Sequence, residues 1–148
     1  MSIKDDLQSN FRSEYLKARV NVYLTNVYLM DKMNQIIKPH KLSIAQFNTL
    51  RILRGQYPKT ASIGLIKERM VDKNSDISRM IDRLFAKKLV DRVECKNDRR
   101  QKDIKITKKG LDILTTIDVL EINLDNSLHH LSETEITELN RLLDKMRE

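Results

Sequence analysis

The sequence predicts a mainly α-helical fold with one small β wing, and three observations predict it. Apolar residues recur at helical spacing over long tracts, and only three glycines and two prolines interrupt 148 residues, so the elements are long and few. One helical tract, from Asn74 to Lys88, runs directly into two β-compatible segments around a charged turn, Lys96-Asn97-Asp98-Arg99-Arg100-Gln101-Lys102. The formal charge of +7 and a pI near 9.5 favour a polyanionic partner, either nucleic acid or an anionic membrane surface. Together these features read as a winged helix-turn-helix core flanked by long N- and C-terminal helices.

From about Leu7 to Ile37 the residues Phe11, Tyr15, Val20, Tyr23, Leu24, Val27, Met30 and Ile37 keep a helical spacing. This helix is expected to stop at Lys38, because Pro39 disfavours helical geometry in the residue before it. Its length, about eight turns, exceeds what one small lobe can cover. Part of its apolar surface therefore requires another long helix or a second subunit. Ser43 suits the N-cap of the next helix and Gln46 completes a capping box, with Ile44, Phe47, Leu50, Ile52 and Leu53 facing inward and Gly55 supplying the stop. A short helix near Ser62 to Met70 follows, with Ile63, Ile66 and Met70 on one side, and Val71-Asp72-Lys73 turns into the central tract.

There Ile77, Met80, Ile81, Leu84 and Phe85 form an apolar stripe that leaves Ser75, Ser78, Arg79, Asp82, Arg83 and Lys87 off it. Val90, Val93, Ile104 and Ile106 mark the two strands. Thr107 caps a long helix carrying Leu111, Leu114, Ile117, Leu120, Leu124, Leu128 and Leu131. Ser132 and Glu135 form a second capping box, and Ile136, Leu139, Leu142, Leu143 and Met146 make the last helix amphipathic. Both chain ends thus carry unpartnered apolar helix surface, which points to a dimer. The expected division is residues 1–40 as an N-terminal dimerisation helix, 41–107 as a DNA-binding lobe and 108–148 as C-terminal dimerisation helices.

Several function classes have no apparatus here. One cysteine, Cys95, excludes an intramolecular disulfide framework and suits a reducing cytoplasm. The longest greasy region, Val20 to Met30, is broken by Asn21, Thr25 and Asn26, so a soluble, cytoplasmic protein without a membrane span is expected. His40, His129 and His130 form no metal box, since neighbouring histidines on a helix diverge by about 100°. No HExxH, GxSxG or phosphate-binding glycine loop is present, so neither catalysis nor a cofactor is expected.

Arg79 and Arg83, one turn apart, offer guanidinium forks to guanine edges or phosphates. Asn74, Ser75, Asp76 and Ser78 lie nearer the helix N-terminus, where side chains approach base edges. The competing reading is a solvated face on which Asp76, Arg79, Asp82 and Arg83 pair with one another.

Ser43 to Gly55, Asn74 to Lys88, Leu89-Val90-Asp91-Arg92, Asn97-Asp98-Arg99-Arg100 and Ile106-Thr107-Lys108-Lys109-Gly110 together resemble the MarR family of transcription regulators over nearly the whole chain. The resemblance implies homodimers joined by the terminal helices, binding a pseudo-palindromic double-stranded DNA site, most often as repressors. It implies that Arg100 enters the minor groove with Asp98 orienting it, while Lys96, Arg99 and Lys102 contact phosphates. It also implies a small aromatic or anionic effector, for which Tyr15, Tyr23 and Tyr28 are candidate pocket residues. Lys88 departs from the family, standing where many members have glycine, so that turn is made without a favoured left-handed residue. The family's oxidation sensors carry a cysteine in the first helix, and residues 1–40 contain none. Two alternatives remain at this stage: a winged-helix protein-interaction module, and a redox-responsive regulator based on Cys95.

Overall fold

The structure is a computed structural model that describes residues 10–72, 76–94, 102–126 and 128–148. Ser13 starts the first helix. Its backbone is extended and its Oγ accepts a hydrogen bond from the Leu16 amide at 3.2 Å, so α1 runs Glu14–Ile37 rather than from near Leu7, and Phe11 lies ahead of it. Pro39 ends the α-helix as expected, and the chain tightens into a 3-10 turn, Lys38–His40. The chain forms two compact units, the first closing at Ile44 and the second running Ala45–Glu148. In the first unit Met33, Ile37 and Leu42 are buried, while Tyr15, Tyr23, Val27 and Tyr28 are exposed.

Next come α2 (Ile44–Arg54), α3 (Ile63–Arg69), α4 (Ile77–Ala86), antiparallel strands β1 (Val90–Glu94) and β2 (Lys102–Ile106), α5 (Lys108–Asn126) and α6 (Glu133–Lys145). On α2, Phe47, Leu50 and Leu53 are buried. Gly55 does not use a left-handed conformation to stop this helix. The last turn unwinds instead through Gln56 N–H to Leu53 O at 3.1 Å and Tyr57 N–H to Arg54 O at 3.0 Å. Ser62 caps α3 by accepting from the Leu65 amide at 3.1 Å.

The strands pair Val90 with Ile106 and Arg92 with Ile104. Ala61 adds a further rung that the apolar pattern did not mark, exchanging two hydrogen bonds of 2.8 Å with Ile104. Leu50, Ile66, Leu84 and Leu114 are fully buried. Each such side chain contributes roughly 1.5–3 kcal/mol relative to exposure. The helix α5 ends at Asn126, earlier than its leucine spacing suggests, so Leu128 and Leu131 lie in the turn before α6. The Ser132–Glu135 capping box is formed, with the Ser132 amide 2.8 Å from Glu135 Oε2 and the Glu135 amide 3.3 Å from Ser132 Oγ. Donation from the Ser132 amide, then from its hydroxyl, holds the Glu135 carboxyl below its ordinary range.

Candidate nucleic-acid interface

The polar helix of the central tract is α4, and its start is fixed by Asp76. The Asp76 carboxylate accepts from the Arg79 amide at 3.1 Å, so the helix begins at Ile77. Ile77, Met80, Ile81 and Leu84 are buried as the spacing required, but Phe85 is 46% exposed and does not belong to the core stripe. Thr49 of α2 meets this stripe: its buried hydroxyl donates to Ala45 O at 2.9 Å and lies 3.2 Å from Met80 Sδ and 3.5 Å from Met70 Sδ. Near the other end of α4, Lys87 Nζ donates to Gln46 Oε1 of α2 at 3.1 Å. Both contacts hold the inner face of α4 and leave its outer face in solvent.

The C-terminus of α4 closes in a Schellman motif. The Leu89 amide donates to Leu84 O at 3.0 Å and the Lys88 amide to Phe85 O at 2.8 Å, with Lys88 left-handed at φ 59°. The turn lacking a glycine is thus made by a lysine in the conformation that glycine favours. Thr107 and Lys109 then bind its outward carbonyls: Thr107 Oγ1 donates to Lys88 O at 2.9 Å and Lys109 Nζ to Lys87 O at 3.0 Å. The same Thr107 oxygen accepts from the Gly110 amide at 3.1 Å, capping α5. A Cβ on Gly110 would stand 2.5 Å from Leu89 O, which explains glycine at this position.

Ser78, Arg79, Asp82 and Arg83 all lie on the exposed face of α4. The competing expectation, that Asp76, Arg79, Asp82 and Arg83 pair with one another, holds only for the first two. Arg79 Nε is 3.9 Å from the Asp76 carboxylate, whereas Asp82 pairs with Arg92 of β1. Among the described residues the Arg83 guanidinium has no hydrogen-bond or ion-pair partner. An unpaired guanidinium beside a loosely held one is suited to phosphate oxygens and guanine edges.

Lys102 enters as the first residue of β2, opposite Glu94. Asn74, Ser75, Cys95, Lys96, Asp98, Arg99 and Arg100 lie outside the described residues. Tyr15, Tyr23 and Tyr28 are exposed along α1 and, at about 100° per residue, do not share one face. Tyr28 instead carries Lys32 Nζ 5.6 Å from its ring centroid. Among the described residues no His, Cys, Asp and Glu cluster could hold a metal, and no helix is long and apolar enough to cross a membrane.

The sequence pattern missed Arg92 as a partner of α4. Strand parity marks it: Arg92 shares a face with Val90 and stands opposite Ile104, on the side that carries the buried residues.

The helix pair, the following hairpin and the basic outer face of α4 define the winged helix-turn-helix class. A family model described as MarR family matches residues 42–102. The chain is 30% identical to the MarR transcription factor from Planctomyces limnophilus, with 91% of this chain and 98% of that one covered and a TM-score of 0.68. A mutant of MarR from E. coli, complexed with operator DNA, is 26% identical over 93% of this chain and 99% of that one, with a TM-score of 0.77. BpsR from Bordetella bronchiseptica, whose DNA binding is regulated by 6-hydroxynicotinic acid, is 25% identical over 88% and 99%, with a TM-score of 0.72. The chain belongs to the MarR family of DNA-binding transcription regulators.

Proposed function

We propose that the protein is a homodimeric repressor that occupies a pseudo-palindromic double-stranded DNA site in the cytoplasm and is released by a small aromatic or anionic effector. The observation that carries this reading is the outer face of α4, where Arg79 and Arg83 stand exposed one turn apart on a helix whose inner face is packed. In this reading Asn74, Ser75, Asp76 and Ser78 approach base edges beside those arginines. Asp76 does so only through its capped carboxylate, which already holds the Arg79 amide. Arg100, oriented by Asp98, takes the minor groove, and Lys96, Arg99 and Lys102 neutralise phosphates. The lobe at residues 41–107 binds DNA, and residues 1–40 and 108–148 dimerise. Tyr23, Val27, Leu139, Leu142 and Met146 support the dimer, since they leave apolar helix surface exposed at both ends of the chain.

The effector reading rests on BpsR, whose regulator is a small aromatic acid; Tyr15, Tyr23 and Tyr28 are the proposed pocket residues, and since they do not share one face of α1, this helix alone does not bring all three to a single pocket. The protein performs no catalysis in this account. The test is DNA binding by the purified protein across a salt series. If six or more phosphates are neutralised, affinity falls about a thousandfold or more between about 50 and 200 mM salt. A flat salt dependence, or unchanged binding by Arg79→Ala and Arg83→Ala, overturns the assignment.

A further inference from the structure

Asp82 is the only acidic residue between Ile77 and Ala86, and it stands in an unfavourable place for a DNA-binding helix. At about 100° per residue, Asp82 and Arg79 flank the line opposite the buried stripe, each about 30° from it. Asp82 is 64% exposed there, so on docking its carboxylate would come close to phosphates of the same charge. Arg92 answers this charge from outside the helix. Its guanidinium pairs with the Asp82 carboxylate and also lies over the Phe85 ring, 5.2 Å from the centroid. The side chain is anchored at both its neighbours, one helical turn apart on α4, while its backbone is fixed in β1 opposite Ile104.

We propose that Arg92 is a positioning residue for DNA recognition, which cancels the Asp82 charge on the outer face of α4 and clamps that face to the wing strand. The inference rests on the DNA-binding reading above and adds a residue that lies on neither the helix face nor the wing tip. Phe85 gains its role from the same contact: its partial exposure is the platform on which the guanidinium lies. With Arg92 in place the outer face presents Arg83 and the loosely paired Arg79 as its cations. Without it, a free carboxylate sits beside them.

The experiment is a fluorescence-anisotropy titration with a duplex that the wild-type protein enriches from a random-sequence library. Arg92→Ala is expected to weaken binding by about tenfold or more, because it leaves an unpaired carboxylate at the interface. Adding Asp82→Asn to that variant restores most of the loss, a rescue that a merely structural role or a direct phosphate contact by Arg92 does not give. Asp82→Asn alone frees a cation, so it tightens binding and steepens the salt dependence by up to about one unit of slope. If Arg92→Ala does not fold, this single variant decides. Weakened binding by Asp82→Asn alone, or equal weakness of Arg92→Ala and the double variant, overturns the proposal. If the wild-type protein enriches no duplex, the DNA-binding reading itself falls.

Discussion

Arg54 and Asp118 face each other through two hydrogen bonds, Nη1 to Oδ2 at 2.5 Å and Nη2 to Oδ1 at 3.1 Å, which join α2 to α5. One turn along both helices Arg51 lies 3.6 Å from Glu121, so the join is a ladder of two ion pairs. The Arg54 and Asp118 side chains are 33% and 43% exposed, and water screens much of their attraction. A double-mutant cycle with Arg54→Ala and Asp118→Ala, followed by urea denaturation, is expected to give a coupling of about 0.5–1 kcal/mol. A coupling indistinguishable from zero would show that the two residues act independently.

Gly110→Ala is expected to destabilise the fold. The added methyl would stand 2.5 Å from Leu89 O and 2.8 Å from Ile106 Cγ1, and the first of these is backbone that cannot rotate aside. The cost is about 1–3 kcal/mol, the usual range for overpacking. Thermal and urea denaturation measure it, and a variant as stable as wild type would mean that α5 shifts without penalty.

Lys88→Gly should act in the other direction. Lys88 holds φ at 59°, and a left-handed residue with a Cβ carries a penalty that glycine avoids. Part of the gain is offset by the greater freedom of glycine in the unfolded chain. A net stabilisation of about 0.5–1 kcal/mol is expected from urea midpoints. Destabilisation would show that the lysine side chain contributes more than its backbone costs.

The Glu135 carboxyl supplies a pH test. Its folded-state pKa lies below the ordinary 4.5, so the stabilisation of the α6 cap is present above that value and is lost as pH falls through the lowered one. Ser132→Ala removes the hydroxyl donor but keeps the amide, the larger cause. The carboxyl should therefore titrate at higher pH than in wild type while staying below the ordinary value. Carbon-13 NMR titration of the side chain reads this directly, and an unchanged midpoint would rule out the hydroxyl contribution.

Periodicity located most elements in the central region because one face of each is buried: Ile77, Met80, Ile81 and Leu84 recur at helical spacing since each packs inward. Boundaries followed local chemistry that periodicity does not carry. Ser13 caps α1 so that it begins at Glu14, well after the apolar spacing starts at about Leu7, and Asn126 ends α5 while leucines continue into the turn. Phe85 looked like core from its spacing alone, yet it serves as a platform for Arg92, a partner from another element. Cross-element pairs such as Arg92–Asp82 and Ala61–Ile104 depend on how the chain returns on itself, which no local window records.

The bonds from Thr107 and Lys109 to the end of α4 make a stiff corner of two helices. The ten residues of α4 span about 15 Å at 1.5 Å per residue. If α5 tilts by about 10° and the corner stays rigid, the far end of α4 swings by about 2.6 Å, close to the length of a hydrogen bond. In the proposed DNA complex, a lever of this size would turn a small tilt of α5 into the making or breaking of a base contact, with Thr107 as its fulcrum.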